Sequence, residues 1–107
     1  MQSSYDTIKW YRFTADEKAR ITAKIKTALA KEKTVKQAWI FGSFTRRNVV
    51  RDIDIAIETN PNLSFKQYLD LSVKIERQVG MPIDIVNLAE APKPLQASIA
   101  KANIKIK

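Results

Sequence analysis

The stretch Trp39-Ile-Phe-Gly-Ser-Phe-Thr-Arg-Arg-Asn-Val-Val-Arg-Asp-Ile-Asp-Ile-Ala-Ile57 contains the pattern that decides the fold. It predicts a buried strand over residues 39–41, then a glycine-serine turn, a short basic segment and a second strand. In the second strand, acidic and small residues alternate with isoleucines. Because successive side chains on a strand point to opposite faces, Asp52 and Asp54 are predicted to share one face, roughly 6–7 Å apart at the backbone.

Two carboxylates held side by side on a strand repel each other unless a cation joins them. Oxygen-only ligands favour a hard ion, and Mg²⁺ is the usual ion where phosphate is also bound. Upstream, Gly42 would let the backbone approach a ligand closely. Ser43 offers a hydroxyl and an amide at the start of a possible helical turn, a typical place for phosphate oxygens. This spacing therefore predicts a site for a metal-bound triphosphate.

The composition favours one small globular domain. A chain of 107 residues can bury a single core, and 45% hydrophobic with 28% charged residues is ordinary for a soluble protein. The absence of cysteine excludes disulfides and thiolate metal sites. The first residues lack the layout of a secretory signal, and no apolar run approaches membrane length. The expected location is the cytoplasm, without a membrane partner.

The lack of histidine restricts the possible chemistry. It excludes a Ser-His-Asp triad, histidine-bound zinc and an imidazole base. Carboxylates, hydroxyls, Lys and Arg remain, and this set suits phosphoryl or nucleotidyl transfer. The net charge of +8 favours encounters with nucleotides, nucleic acid or an acidic partner. It is equally compatible with a lysine-rich surface that only keeps the protein soluble.

The remaining elements follow from capping and periodicity. We expect a loosely held leader over residues 1–13, although its aromatic residues could pack on the domain, and the domain itself over residues 14–107. The predicted helices cover residues 14–33, with an inward stripe that includes Ile25 and Leu29, and residues 65–79, with Phe65 and Leu69 among its apolar positions. The predicted strands cover residues 34–41, 52–58 and 83–88, and a short helix after Pro92 precedes an edge strand with Ile104 and Ile106.

A third acid, Asp84, stands on the apolar strand over residues 83–88. A bare charge there must be exposed at a sheet face or matched by a cation. Spacing alone favours an ordinary surface aspartate paired with a lysine. Glu90, in a predicted loop, is a weaker candidate for a site residue.

Gly42-Ser43, Arg46 and Asp52-Ile53-Asp54, between two hydrophobic strands, resemble the signature of the DNA polymerase beta-type nucleotidyltransferase superfamily. The length resembles that of its minimal nucleotidyltransferase (MNT) family, and the resemblance covers about residues 18–107. It implies an α/β (α+β) fold: a mixed sheet of about four strands, helices on one face and the site on the other. It also implies that Asp84 is the third carboxylate of the site.

The resemblance further implies a Mg²⁺-dependent transfer of NMP, most simply AMP from ATP, with release of pyrophosphate. Asp52, Asp54 and Asp84 would hold two Mg²⁺ ions. Gly42 and Ser43 would cradle the phosphates. Arg46 would neutralise charge as pyrophosphate leaves, and for the neighbouring Arg47 a nucleotide-binding role and a structural role are equally open.

Minimal members of the family resemble antitoxins that pair with a helical HEPN-type toxin, so a HEPN partner and a hetero-oligomer are expected. The acceptor hydroxyl would then lie on the partner, because a domain of this size is expected to hold no acceptor-binding domain of its own.

Two alternatives stay open. The chain could be a catalytically weak binding module that neutralises its partner by contact, since the loop from Gly42 to Asp52 is shorter than in most members. In addition, Arg47 stands where glycine is usual. It could also be a basic nucleic-acid-binding domain, a hypothesis that rests on charge alone.

Overall fold

The structure is a computed structural model that describes residues 9–107. Strand β4 is one of the two inner strands of its main sheet. In chain order the strands and helices are β1 (Tyr11–Arg12), α1 (Ala15–Ala30), β2 (Val35–Phe41), β3 (Val49–Val50), β4 (Ile53–Thr59), α2 (Phe65–Val79), β5 (Ile83–Asn87), α3 (Lys93–Lys101) and β6 (Asn103–Lys105).

The main sheet has four strands in the order β5-β4-β2-β6. Strand β4 pairs antiparallel with β2 and parallel with β5, while β6 pairs antiparallel with β2. The parallel pair needs a crossover, and α2 supplies it. The predicted mixed sheet and the predicted edge strand after the last helix are confirmed.

Capping residues set where the helices begin and end. Thr14 and Ser64 each form a reciprocal capping box, with Glu17 and Gln67. Helix α2 has the predicted bounds and ends at Gly80, whose φ of +78° is left-handed. Helix α1 was predicted to continue to residue 33 but ends at Ala30, because the next residues form a turn that leads into β2.

One face of the sheet holds the main core beneath α1 and α2. Alternate residues of β2 and β4 point into it, and the two helices cover them with one stripe each. Burial of each large side chain stabilises the fold by about 1.5–3 kcal/mol. The fully buried members include Ile25, Leu29, Ile40, Ile53, Ile55, Ile57 and Ile75.

The other face carries a smaller cluster under α3. Ile99 and Leu95 of α3 pack near Phe41, Ala56 and the partly buried Trp39. The expectation of helices on one face therefore holds for α1 and α2, while the short α3 covers part of the opposite face. Trp39, Phe41 and Ala56 leave an apolar surface on that face, which explains why it needs this cover.

Helix α2 buries only part of the apolar positions that its sequence predicts. Leu71 and Ile75 are buried, whereas Phe65 is 79% exposed and Leu69 is 50% exposed. The predicted apolar positions Phe65 and Leu69 therefore lie outside the core. The helix has two apolar stripes, and only the one that faces the sheet is covered.

The described part of the predicted leader, residues 9–13, packs against the domain. Strand β1 pairs with β3, and the Phe13 amide donates to the carbonyl of Asn48 over 2.8 Å. Phe13 also meets Phe44 edge to face, with 6.0 Å between ring centroids. Residues 1–8 lie outside the described part of the chain. Within residues 9–107, no helix has the length and apolar character needed to cross a membrane.

Candidate active site

The register of β4 against β5 places two of the candidate carboxylates side by side. Asp54 pairs with Asp84, and neighbouring parallel strands lie about 4.8 Å apart. Because the two residues occupy the same register position, their side chains leave the sheet on the same face, opposite the isoleucine core.

Asp52 precedes the strand that was predicted to contain it. The ladder begins at Ile53, whose amide donates to the carbonyl of Pro82 over 3.1 Å, so β4 starts one residue later than expected. Asp52 is nevertheless close enough for its charge to act on Asp54.

The pKa of Asp54 is raised from the ordinary 3.8 to about 6. Burial is the largest cause, and the negative charges of Asp52 and then Asp84 add to it. Both neighbours are therefore close enough for their charges to act on the Asp54 carboxyl group, and the role of the three acids as a site stays a prediction.

No basic side chain neutralises this cluster in the described part of the chain. The ion pairs there join Lys66 to Asp70 and Lys74 to Glu32, both remote from the three aspartates. The nearby arginines therefore form no salt bridge that would hold the site together in place of a bound cation.

Gly42 lies against Asp54. Its φ is +77°, and a Cβ built on it would stand 2.5 Å from Oδ2 of Asp54. Only glycine fits both the backbone conformation and the space. At this turn the sequence predicted a close approach of the backbone to a ligand. In the structure the backbone of Gly42 lies close to the Asp54 carboxylate of the same chain.

The turn after this glycine is a single 3-10 turn, Gly42–Thr45. The carbonyl of Ser43 accepts the amides of Arg46 and Arg47 over 3.0 and 2.8 Å, and the Thr45 hydroxyl donates to the Gly42 carbonyl over 2.7 Å. These bonds fix a tight loop beside the aspartates, with Ser43 partly exposed.

Arg46 and Arg47 are exposed on this loop. Lys18 of α1 donates to the carbonyl of Arg47 over 3.0 Å and lies 5.1 Å from the ring centroid of Phe44. Arg51 lies over the Trp10 ring, 5.5 Å from its centroid. A nucleotide-binding role for Arg46 and Arg47 stays a prediction.

Sequence comparison decides the family of this chain. Residues 23–107 match the family described as "Polymerase beta, Nucleotidyltransferase". The chain belongs to this family. A relative from Methanocaldococcus jannaschii, described as a putative protein adenylyltransferase, is 32% identical over 85 residues, which cover 76% of this chain and 85% of the relative.

Solved structures share the fold of this nucleotidyltransferase. One is described as the tri-AMPylated Shewanella oneidensis HEPN toxin in complex with MNT antitoxin; the match has a TM-score of 0.70 at 21% identity and covers 84% of this chain and 71% of that chain. Another is described as the toxin-antitoxin with AMP-PNP, with a TM-score of 0.72 at 22% identity over 80% of this chain and 72% of that chain.

The donor set of this nucleotidyltransferase fits a hard divalent cation. Asp52, Asp54 and Asp84 offer only oxygen, and Asp84 is exposed to solvent. The pKa of Asp54 is raised mainly by burial and further by the negative charges of Asp52 and Asp84, and a bound cation would offset the repulsion between these charges. Within residues 9–107, however, no group of three or more acidic, histidine or cysteine side chains is already close enough to form a complete metal site. The carboxylates would therefore have to draw closer around an ion.

Sequence reasoning missed one feature beside the site. Asp84 and Glu90 line a groove together with the exposed stripe Phe65, Leu69 and Val73 of α2. The spacing of four residues between members of this stripe was visible in the sequence. The same spacing also describes a core-facing stripe, so periodicity could not tell which of the two is covered.

Proposed function

We propose that this chain transfers AMP from ATP to a hydroxyl group of a HEPN-type protein partner, as the antitoxin of a toxin-antitoxin pair. The single observation that supports the chemistry best is the position of Asp54, which is the register partner of Asp84, within the electrostatic influence of Asp52 and against Gly42. The family supports nucleotidyl transfer, and the archaeal relative, described as a putative protein adenylyltransferase, supports AMP and a protein acceptor.

In this proposal Asp52, Asp54 and Asp84 hold Mg²⁺, and Gly42 with Ser43 contacts the phosphates of ATP. Bound Mg²⁺ would neutralise charge on the triphosphate and lower the pKa of the acceptor hydroxyl. Arg46 and Arg47, on the loop that follows, would neutralise charge on the departing pyrophosphate.

The reaction forms one bond and breaks one bond. The acceptor oxygen attacks the α-phosphorus, the bond from that phosphorus to the β-phosphate oxygen breaks, and pyrophosphate leaves. Asp84 is the exposed member of the cluster and is therefore the group that we assign to take the hydroxyl proton.

The partner is proposed from the solved structures of the same fold. One is described as an AMPylated HEPN toxin in complex with MNT antitoxin, and a match of this kind supports a HEPN-type acceptor and a hetero-oligomer. The carboxylate face is open at Asp84, so a second protein could reach it. The location that we propose for the pair is the cytoplasm.

The test follows label from the α-phosphate of ATP to the partner protein in the presence of Mg²⁺. We expect Asp52→Asn and Asp54→Asn each to reduce transfer at least about a hundredfold. Asp16→Asn, in the first turn of α1, is the matched control and should leave the rate unchanged. Transfer that persists in both active-site variants would remove the carboxylates from the mechanism.

A second candidate is a binding module that neutralises its partner by contact. Arg47 at a position usually held by glycine and the incomplete grouping of the metal ligands both favour it. Calorimetry of ATP with Mg²⁺ on the purified chain separates the two. Binding heat at millimolar nucleotide supports the enzyme, and its absence supports the binding module.

Nucleic-acid binding rests only on the net charge of +8, and the acidic cluster at the site argues against it.

A further inference from the structure

A groove of about 460 Å³ separates α2 from the outer edge of β5. Its apolar wall is the stripe Phe65, Leu69 and Val73, which are 79%, 50% and 42% exposed. Three large apolar side chains along one face of a helix form a continuous strip, because residues four apart are neighbours on the helix surface. Such a strip, open to solvent, is typical of a surface that another chain covers.

The charge in this groove is opposite to that of the whole protein. Glu76, Asp84 and Glu90 line it, and no lysine or arginine does so in the described part of the chain. The sequence as a whole carries a net charge of +8. An acidic groove on a basic protein selects a partner segment that combines apolar anchors with Lys or Arg.

The groove shares one residue, Asp84, with the candidate active site. It passes from Ile83 and Ile85, which pack against the main core, over the edge of β5 to Asp84, the register partner of Asp54. A segment seated here would therefore lie beside Asp84.

Side chains of α2 already occupy part of the free edge of β5. Oε1 of Glu76 accepts the Ile83 amide over 3.1 Å, and the Ser72 hydroxyl donates to the Ile83 carbonyl over 3.5 Å. Both outward backbone groups of Ile83 are thus occupied, which disfavours the addition of a strand there. The straight stripe on α2 instead suits a helix that packs lengthwise against it.

We propose that this groove seats a helical segment of the protein that receives AMP, and that it presents the acceptor hydroxyl of that segment to the three aspartates. The segment carries apolar residues at helical spacing and at least one Lys or Arg. This inference rests on the proposed function, since it names the surface through which that function selects its acceptor.

A second copy of the same chain is a poorer occupant. In a two-fold dimer through this groove, the same patch meets itself, so the acidic residues Glu76, Asp84 and Glu90 of one copy would meet the acidic groove of the other. The like charges would repel each other. Nucleic acid is disfavoured for the same reason, since its phosphates would meet the three acids.

The test measures binding of the HEPN-type partner and transfer of label to it by four variants. We expect Leu69→Asp and Val73→Asp to weaken binding at least tenfold and to reduce transfer to the same extent. Phe65→Ala is the gentler variant, because this side chain is 79% exposed and contributes little to the fold. Ala23→Asp, on the exposed face of α1, is the control and should bind like the parent.

Affinity for ATP with Mg²⁺ separates a lost docking surface from a damaged fold, and we expect all four variants to retain it. Unchanged partner binding in the three stripe variants, or equal weakening in Ala23→Asp, would overturn the inference. A parent chain that does not bind the partner would do so as well. Self-association of the parent that the stripe variants lose would assign the groove to a second copy and would also overturn it.

The two proposals fail in different ways. If the stripe variants lose partner binding while no variant and no parent transfers AMP, the groove stands and the catalytic function fails. If the stripe variants bind and modify the partner like the parent, the function stands and the groove fails.

Discussion

At the level of single residues, Asp54 carries a charge that the folded chain disfavours. Its carboxyl group is half-buried, faces two other acids, and has a pKa of about 6 in the folded chain against the ordinary 3.8. Between these two pH values the folded chain binds the proton more strongly than the unfolded chain does. The free energy of unfolding therefore falls as pH rises from about 4 to about 6, and above that range the charged group destabilises the fold.

Asp54→Asn should remove this pH dependence. After allowance for solvent screening of a half-exposed group, we expect the variant to be more stable than the parent by about 1–2 kcal/mol at pH 7. At pH 4 the two should be equal. Urea unfolding at both pH values, with a chelator present, measures the difference. Asp16→Asn is the control, and parallel pH profiles for parent and Asp54→Asn would contradict the proposed cause.

Gly42 and Gly80 form a matched pair at the same backbone conformation. Their φ values are +77° and +78°, but a Cβ on Gly42 meets Oδ2 of Asp54 at 2.5 Å, whereas a Cβ on Gly80 meets nothing within 4 Å. Each Gly→Ala change should lower the free energy of unfolding by about 1 kcal/mol or more through the backbone.

Only Gly42→Ala should also displace the Asp54 carboxylate. We therefore expect it to weaken the binding of Mg²⁺ with ATP at least about tenfold, while Gly80→Ala binds like the parent. Calorimetry on the two variants measures this. Equal affinity in both would mean that the close contact at Gly42 has no part in shaping the site.

At the level of secondary structure, α1 holds the arginine loop through one side chain. Lys18 donates to the Arg47 carbonyl over 3.0 Å and stands over the Phe44 ring. Strand β1 supports the same loop from its other end by pairing with β3. The loop that follows Gly42 is therefore anchored from two places outside the main sheet.

Lys18→Met should release one of these anchors. Loss of the hydrogen bond and the cation–π contact should cost about 1 kcal/mol, and the Arg47 amide, which donates to the Ser43 carbonyl, should exchange hydrogen faster. Lys24→Met, on the exposed face of the same helix, controls for the lost charge. Unfolding measurements and hydrogen exchange that do not distinguish the two variants would show that Lys18 is not an anchor.

At the scale of the whole molecule, the two faces of the main sheet have different roles. One face is an isoleucine-rich core beneath α1 and α2, and it fixes the register of β4 and β5. The other face carries the aspartates and a small apolar cluster under α3. Because side chains alternate across a strand, stability and chemistry are supplied by neighbouring residues without competition for space.

Much of this arrangement depends on local interactions and could be predicted from the sequence. Capping boxes at Thr14 and Ser64 placed the helix starts, and alternation along residues 52–58 separated the acids from the core. These features depend on contacts within three or four residues, so the sequence pattern contains them in full. The 3-10 turn that begins at Gly42 belongs to the same class, whereas the close contact between Gly42 and Asp54 does not.

Contacts between distant segments decided the rest. A helix between two strands is typical of a parallel crossover, but nothing near Asp84 indicates that Asp54 is its neighbour, because that register follows from how α2 packs its isoleucine and leucine onto the sheet. Two further features depend on which surfaces meet after the chain has folded. They are the choice between the two apolar stripes on α2 and the pairing of β1 with β3. Local periodicity predicts which surfaces can be buried, and only long-range packing determines which of them are buried.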